Sequence, residues 1–208
     1  AVMPCSDGGL LASFENGLSR IDLKTEQVTP LLALETDQPD NRFNDGCTDT
    51  HGQFWFGSMD DKQQSSSGSF YRLDRTGEVH QLKHFGEICI TNGPAFSADG
   101  RWVYFTDTLE KKVFRAELHS QSEPGQPELF IDFSTLKGHP DGMCSDWEGN
   151  LWVCHFGGSR VTCFDTDGRE QSVIELPVPN ITKCAFGGPD LNTLYITTAR
   201  AGLDQAQR

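Results

Sequence analysis

Three short polar pairs in this sequence could do chemistry: Asn44, followed by Asp45-Gly46; Asn92, followed by Gly93; and Asp141, followed by Gly142. Each stands eight residues before a further glycine, namely Gly52, Gly100 and Gly149. Amide and carboxylate oxygens gathered in one place suit a hard divalent cation such as Ca2+ or Mg2+, with Mn2+ also compatible. A single Asn-Gly or Asp-Gly pair is an ordinary turn former. Three oxygen-bearing side chains at one phase of a repeat point instead to a shared site.

The elements that must position them follow from the same alignment. After Gly52 come Gln53-Phe54-Trp55-Phe56, after Gly100 Arg101-Trp102-Val103-Tyr104, and after Gly149 Asn150-Leu151-Trp152-Val153. The glycines are 48 and 49 residues apart. Asp146-Trp147-Glu148-Gly149 between apolar runs reads as a strand-turn-strand unit, because a residue that tolerates positive φ closes the turn. Weaker copies begin at Asp7-Gly8-Gly9 and Gly188-Pro189-Asp190. A period near 48 with about four strand-like runs per repeat is the mark of propeller blades. The fold class expected is therefore all-β, a β-propeller, with roughly four blades and part of a fifth in a single domain spanning 1–208. If the three polar residues open the innermost strands, their oxygens converge on the propeller axis. Thr182, with Lys183 beside it, falls at the same phase in the fifth repeat.

Composition narrows the partners. A formal net charge of −13 leaves no basic stripe to neutralise phosphates, so nucleic acid is excluded as a partner. No apolar run approaches a membrane span, and no membrane partner is expected. The seven cysteines form no Cys-x-x-Cys pair and lie mostly in apolar runs, which favours buried reduced thiols in the cytoplasm. The histidines lack ligand spacing; His139 and His155 flank the central strand pair, where either could face the channel. Trp55, Trp102 and Trp152 recur at nearly one phase and read as blade packing, with Trp147 exposed in its turn. Residues 1–35 read as an incomplete first blade, followed by a polar loop, Glu35 to Asp40, that delivers Arg42. Residues 60–69 read as a polar, flexible connection, and Ser120 to Pro127 as a loop rich in Pro and Gly.

The segments Asn41-Arg42-Phe43-Asn44-Asp45-Gly46, Trp55-Phe56-Gly57-Ser58-Met59, Asn92-Gly93-Pro94-Ala95-Phe96, Pro140-Asp141-Gly142-Met143 and Phe186-Gly187-Gly188-Pro189, in that order, resemble the senescence marker protein-30/gluconolactonase/luciferin-regenerating-enzyme-like family. That resemblance implies a six-bladed propeller that hydrolyses a sugar (aldono-)lactone with one divalent cation, Ca, Mn, Mg or Zn, in its channel. It assigns Asn92 and Asp141 to the metal, with Asn44 close enough to join them. Asp141 would also activate the attacking water, and Arg42 and Asn44 would contact the substrate. Some relatives carry a substrate-contacting acid three residues after the position of Met59; here that residue is Lys62, with Asp61 beside it, and both are candidates for substrate contact.

Two departures qualify the resemblance. No Glu-Gly-Pro motif supplies the family's glutamate ligand upstream of Arg42, and Glu15 has neither its context nor its phase. Six repeats of about 48 residues need roughly 290, more than this chain has, so a segment missing its first strands and its last blade is expected. The competing reading is a non-catalytic propeller with a structural cation or an interaction surface. No Gly-x-Ser-x-Gly elbow supports a serine esterase.

Overall fold

The computed structural model describes residues 1–119 and 123–203. They fall into two compact units, Ala1–Pro94 and from Ala95 onward. Among the described residues, helix is confined to one 3-10 turn, Lys83–Phe85, and the rest of the regular structure is antiparallel sheet.

The first unit holds two four-stranded sheets, each in simple up-and-down order. One contains β1 (Val2–Pro4), β2 (Leu10–Phe14), β3 (Gly17–Ile21) and β4 (Val28–Ala33); the other contains β5 (Asn41–Thr48), β6 (Phe54–Asp60), β7 (Phe70–Leu73) and β8 (Val79–Gln81). The first 35 residues thus form a four-stranded sheet, where the sequence pattern pointed to fewer strands. The first strands were expected to be missing, but β1 is present and only three residues long, too short to show a period. Leu18 of the first sheet packs with Phe43, Phe54, Phe56 and Tyr71 of the second. Their rings meet edge-on or stacked, with Phe54 and Phe56 centroids 4.9 Å apart.

The strand β9 (Thr91–Phe96) carries the chain into the second unit and edges a sheet with β10 (Trp102–Asp107), β11 (Lys112–Glu117) and β12 (Glu128–Asp132). A further four-stranded sheet comprises β13 (His139–Ser145), β14 (Leu151–Phe156), β15 (Arg160–Phe164) and β16 (Glu170–Glu175), and β17 (Ile181–Gly187) pairs with β18 (Thr193–Thr198). Tyr104, Val113, Ile131 and Phe133 pack against Met143, Leu151, Val153 and Phe164 to form this unit's main core. Of the loop expected over 120–127, residues 120–122 lie outside the described residues; beyond them, the His119 N–H donates to the Glu123 carbonyl at 2.8 Å.

The repeat glycines close turns as their spacing predicts, at φ of +77° (Gly52), +70° (Gly100) and +90° (Gly149). Two of these turns carry the same side-chain clamp. Asp49 Oδ1 accepts the N–H groups of His51 and Gln53, while Oδ2 accepts the Gln53 amide and the Trp55 indole at 3.0 and 3.1 Å. Asp146 does the same with Glu148, Asn150, the Asn150 amide and the Trp152 indole, the last two at 2.9 Å. The tryptophans are therefore architectural, and Trp147, 86% exposed, is the one at a turn tip. Residues 61–69 are a tied loop rather than the loose connection expected. The Asp60 carboxylate accepts N–H bonds from Gln64, Ser65 and Lys62, which holds its pKa below the usual carboxylate range. Asn41 fastens the far end through Ser67.

Candidate functional site

The pairing of β5 with β6 goes out of register where the chemistry was expected. Phe43 faces Ser58 and Gly46 faces Phe56, so Asn44 and Asp45 together stand opposite Gly57. A bulge of this kind turns side chains out of the alternating pattern, which is why bulges recur at active sites. Asp45 stabilises it by accepting the N–H groups of Gly46 at 2.8 Å and Gly93 at 3.1 Å. Gly57 is required here, since a Cβ would stand 2.2 Å from the Thr91 hydroxyl. That hydroxyl donates to the Ser58 carbonyl at 2.8 Å and brings the start of β9 against β6.

The bulge feeds a chain of hydrogen bonds. Arg42 Nε donates to Asp61 Oδ1 at 2.6 Å and Arg42 Nη1 to Asn44 Oδ1 at 3.0 Å. The Asn44 amide in turn donates to Asn92 Oδ1 at 3.0 Å and to the Thr91 carbonyl at 2.8 Å. Arg42, Asn44, Asp61 and Asn92, singled out from sequence, are thus one network. Asn92 is nearly buried in it, and Arg42 and Asp61 are open to solvent. Lys62 does not join: its ammonium pairs with Asp40 at 2.6 Å, a hydrogen bond that raises its pKa. An exposed pair such as Arg42–Asp61 contributes about 0–1 kcal/mol to stability, so its consequence is the orientation of the guanidinium. Arg42, Asp61 and Lys62 line one side of a cleft of about 310 Å³, with Glu15, Glu35 and Asn41 also at its wall. Sequence reasoning passed over Glu15 and Glu35; both stand in polar loop or turn segments where an acid is ordinarily just solvated.

In the second unit, β13 repeats the device. Pro140 faces His155 and Met143 faces Val153, leaving Asp141 and Gly142 opposite Cys154. Asp141 Oδ1 accepts the Gly142 N–H at 2.9 Å, as Asp45 does with Gly46. Thr182 occupies the register shift in β17, and its hydroxyl pairs with that of Thr197 at 2.8 Å. A Cβ on Gly142 would come within 2.5 Å of the Thr182 carbonyl and 3.0 Å of Lys183 Cβ, so both residues expected at this phase do crowd the bulge. His155 is an interior group. It is fully buried beside Phe133, its Nδ1 donates to the Lys137 carbonyl at 2.7 Å, and Nε2 has no partner among the described residues. Burial lowers its pKa to about 4. His139 is half-buried, with its pKa also lowered by burial.

Among the described residues, Asp74, Glu78 and His80 bring three ligand-type atoms within 4.8 Å of one another. Asp74 is committed to its own turn, however. It accepts from the Thr76 and Glu78 N–H groups and from His80 Nε2 at 3.0 Å, which is the clamp of Asp49 and Asp146 with imidazole in place of indole.

Sheets in up-and-down order, with oxygen-bearing residues on first-strand bulges, define a propeller-like all-β class, and comparison narrows it. Residues 1–200 match the SMP-30/Gluconolactonase/LRE-like region family, and the chain belongs to it. It is 33% identical over 205 residues to regucalcin of Xenopus laevis (95% of this chain, 68% of that one). It is 34% identical over 194 residues to 6-deoxy-6-sulfogluconolactonase of Pseudomonas putida (93% and 66%). The crystal structure of the calcium-binding protein regucalcin from Agrobacterium tumefaciens superposes with a TM-score of 0.93 at 37% identity, covering 99% of this chain and 70% of that one. The chain spans about two thirds of the length of such relatives.

Proposed function

We propose that this chain carries most of the site of a divalent-metal-dependent sugar lactonase within a six-bladed propeller. The observation that carries the reading is the bulge-borne relay from Arg42 through Asn44 to Asn92 beside an open cleft. The donor set fits a hard cation: two amide oxygens and a carboxylate at one repeat phase, two of them on matching bulges. Asn44, Asn92 and Asp141 would hold the ion. When bound, the cation supplies Lewis acidity to the lactone carbonyl and steadies the negative charge that develops there.

The protein's own groups do the remainder. Arg42, fixed by Asp61, presents forked donors to ring hydroxyls, and Asn44 adds an amide. Asp141 takes a proton from the attacking water as its oxygen bonds to the carbonyl carbon. The ring C–O bond then breaks, and the ring oxygen receives a proton to leave the open-chain sugar acid. Lys62 and Asp61 at the cleft wall would meet the substrate's far end. The relative named as a sulfogluconolactonase supports the lactone class, and the solved calcium-binding relative supports a cation. The seven cysteines, with no Cys-x-x-Cys pair and mostly within strands, favour a reducing, cytoplasmic setting.

The test is aldonolactone hydrolysis with and without added Mn2+ or Ca2+, comparing the wild type with Asp141→Ala. Metal-dependent turnover that the substitution removes is the expected result. Turnover indifferent to both metal and Asp141, or none with any lactone, overturns the proposal.

A further inference from the structure

Glu35 is a charged group that the proposed chemistry leaves unused, and its geometry is unusual. It stands between β4 and β5 at φ +52°, in the left-handed region that a glutamate seldom occupies and that functional sites tend to retain. Its carboxylate is spent on three neutral donors. Oε1 accepts the Ser58 hydroxyl at 2.6 Å and the Tyr71 phenol at 2.7 Å, and Oε2 accepts the Asn41 amide at 2.9 Å. Those donors come from β6, β7 and β5, so one side chain spans three strands of a sheet. Burial, followed by the bond to Glu35, pushes the Tyr71 pKa well up, as expected of a buried phenol that donates to a carboxylate.

The Asn41 arm leads to the cleft. Asn41 precedes Arg42 in the chain, and its amide also donates to the Ser67 carbonyl at 3.0 Å while its Oδ1 accepts the Ser67 hydroxyl at 2.6 Å. Ser67 ends the same tied loop on which Asp61 takes the Arg42 guanidinium. One carboxylate therefore anchors, through one amide, both the strand that carries Arg42 and the loop that carries Asp61. We propose that Glu35 is a positioning residue of this cleft, holding Arg42 and Asp61 in register through Asn41. Its kinetic consequence rests on the lactonase reading; its structural consequence does not.

The bond chemistry supplies a specific test. Glu35→Gln keeps an acceptor for Ser58 and Tyr71 but turns an NH2 group onto the NH2 of Asn41. Asn41→Asp sets two carboxylates face to face. The double variant Glu35→Gln/Asn41→Asp restores one donor to one acceptor at this contact, while the Ser67 carbonyl stays without its amide donor, so the rescue is partial. The direct readout is the Arg42 Nε–H resonance, whose exchange is expected to be slower while it is bonded to Asp61 than in a free guanidinium. Each single variant is expected to lose that protection and the double variant to regain part of it. In lactone hydrolysis the singles should raise KM about tenfold with kcat within about twofold, since orientation of bound substrate is what Arg42 supplies, and the double should recover part of the loss. Ser67→Ala, which removes only a hydroxyl at a half-buried loop position, should give a weaker loss of protection and a KM rise of about threefold. Unchanged Arg42 protection in folded Glu35→Gln overturns the inference, as does a double variant no better than its parents. If Glu35→Gln does not fold, unchanged protection in Ser67→Ala and Asn41→Asp overturns it equally. Absence of turnover alongside the expected loss and rescue of protection refutes the lactonase reading and leaves the positioning role standing.

Discussion

The strand pair β5–β6 and its counterpart β13–β14 are the same object at one end and different objects at the other. At the turn, Asp49 and Asp146 make the same four bonds to the same kinds of partner. At the bulge, the backbone again coincides, but Arg42-Phe43-Asn44-Asp45 answers to His139-Pro140-Asp141-Gly142. Where backbone and side chains both repeat, the repeat is architecture. Where only the backbone repeats, the freed side chains are available for a task, and in the proposed mechanism the carboxylate of Asp141, against the amide of Asn44, adds proton acceptance to metal binding.

The largest expected effect breaks this comparison at its bulge end. Asn44→Ala removes an amide that links Arg42 to Asn92 and is expected to lower kcat/KM about tenfold, the worth of one to two hydrogen bonds. Asp141→Ala removes a charge and a proton acceptor together and should cost at least a thousandfold. Steady-state rates on one aldonolactone decide the ranking; equal losses would mean that the two bulges do not differ in role.

At the turn end the prediction inverts. Asp49→Ala and Asp146→Ala each orphan an indole N–H and two backbone N–H groups, and each should cost about 3 kcal/mol of stability, with KM unchanged in the folded fraction. Urea unfolding checks the cost, and unequal costs in the two turns would show that the clamp is not a repeated unit.

This division also explains which parts were legible in advance. The turns were, because a clamp runs from a residue to its neighbours within six positions, so its glycines and aspartates keep their spacing on the page. Asn44, Asn92 and Asp141 were found by counting from those turns. Glu35 was not, since its partners are 6, 23 and 36 residues away, a pattern no local reading contains. The pairing of Lys62 with Asp40 was hidden for the same reason, across 22 residues, and so was the tying of the 61–69 loop by Asn41, across 26. The first blade was read as incomplete because β1, three residues long, is too short to carry a period.

A smaller effect sharpens the comparison next to the bulges. Ser58 and His155 hold equivalent register positions, facing Phe43 and Pro140, and both are fully buried. Only His155 titrates. Its pKa falls from 6.5 unfolded to about 4 folded, so the unfolded chain binds the proton first as pH drops. The contribution is intact above pH 6.5 and is lost progressively down to pH 4, by about 3 kcal/mol at most. In urea titrations at pH 7, 5.5 and 4, His155→Gln should lose correspondingly less stability than the wild type across that range. Parallel losses would mean that His155 is not the group responsible.

The smallest effect is expected where the two turns differ without consequence. Thr50 follows Asp49, and Trp147 follows Asp146, in turns closed by the same clamp. The indole of Trp147 is 86% exposed and contributes none of the clamp's bonds, whereas Thr50 fills the same place with a short polar group. Trp147→Thr should therefore shift the unfolding free energy by no more than about 0.5 kcal/mol, while Trp152→Phe, which takes the indole N–H from Asp146, should cost about 1 kcal/mol or more. Comparing their urea midpoints tests whether the clamp, and not the turn's apolar content, holds the β13–β14 pair. A Trp147→Thr loss as large as that of Trp152→Phe would place the stability in the exposed ring and undo the equivalence of the two turns.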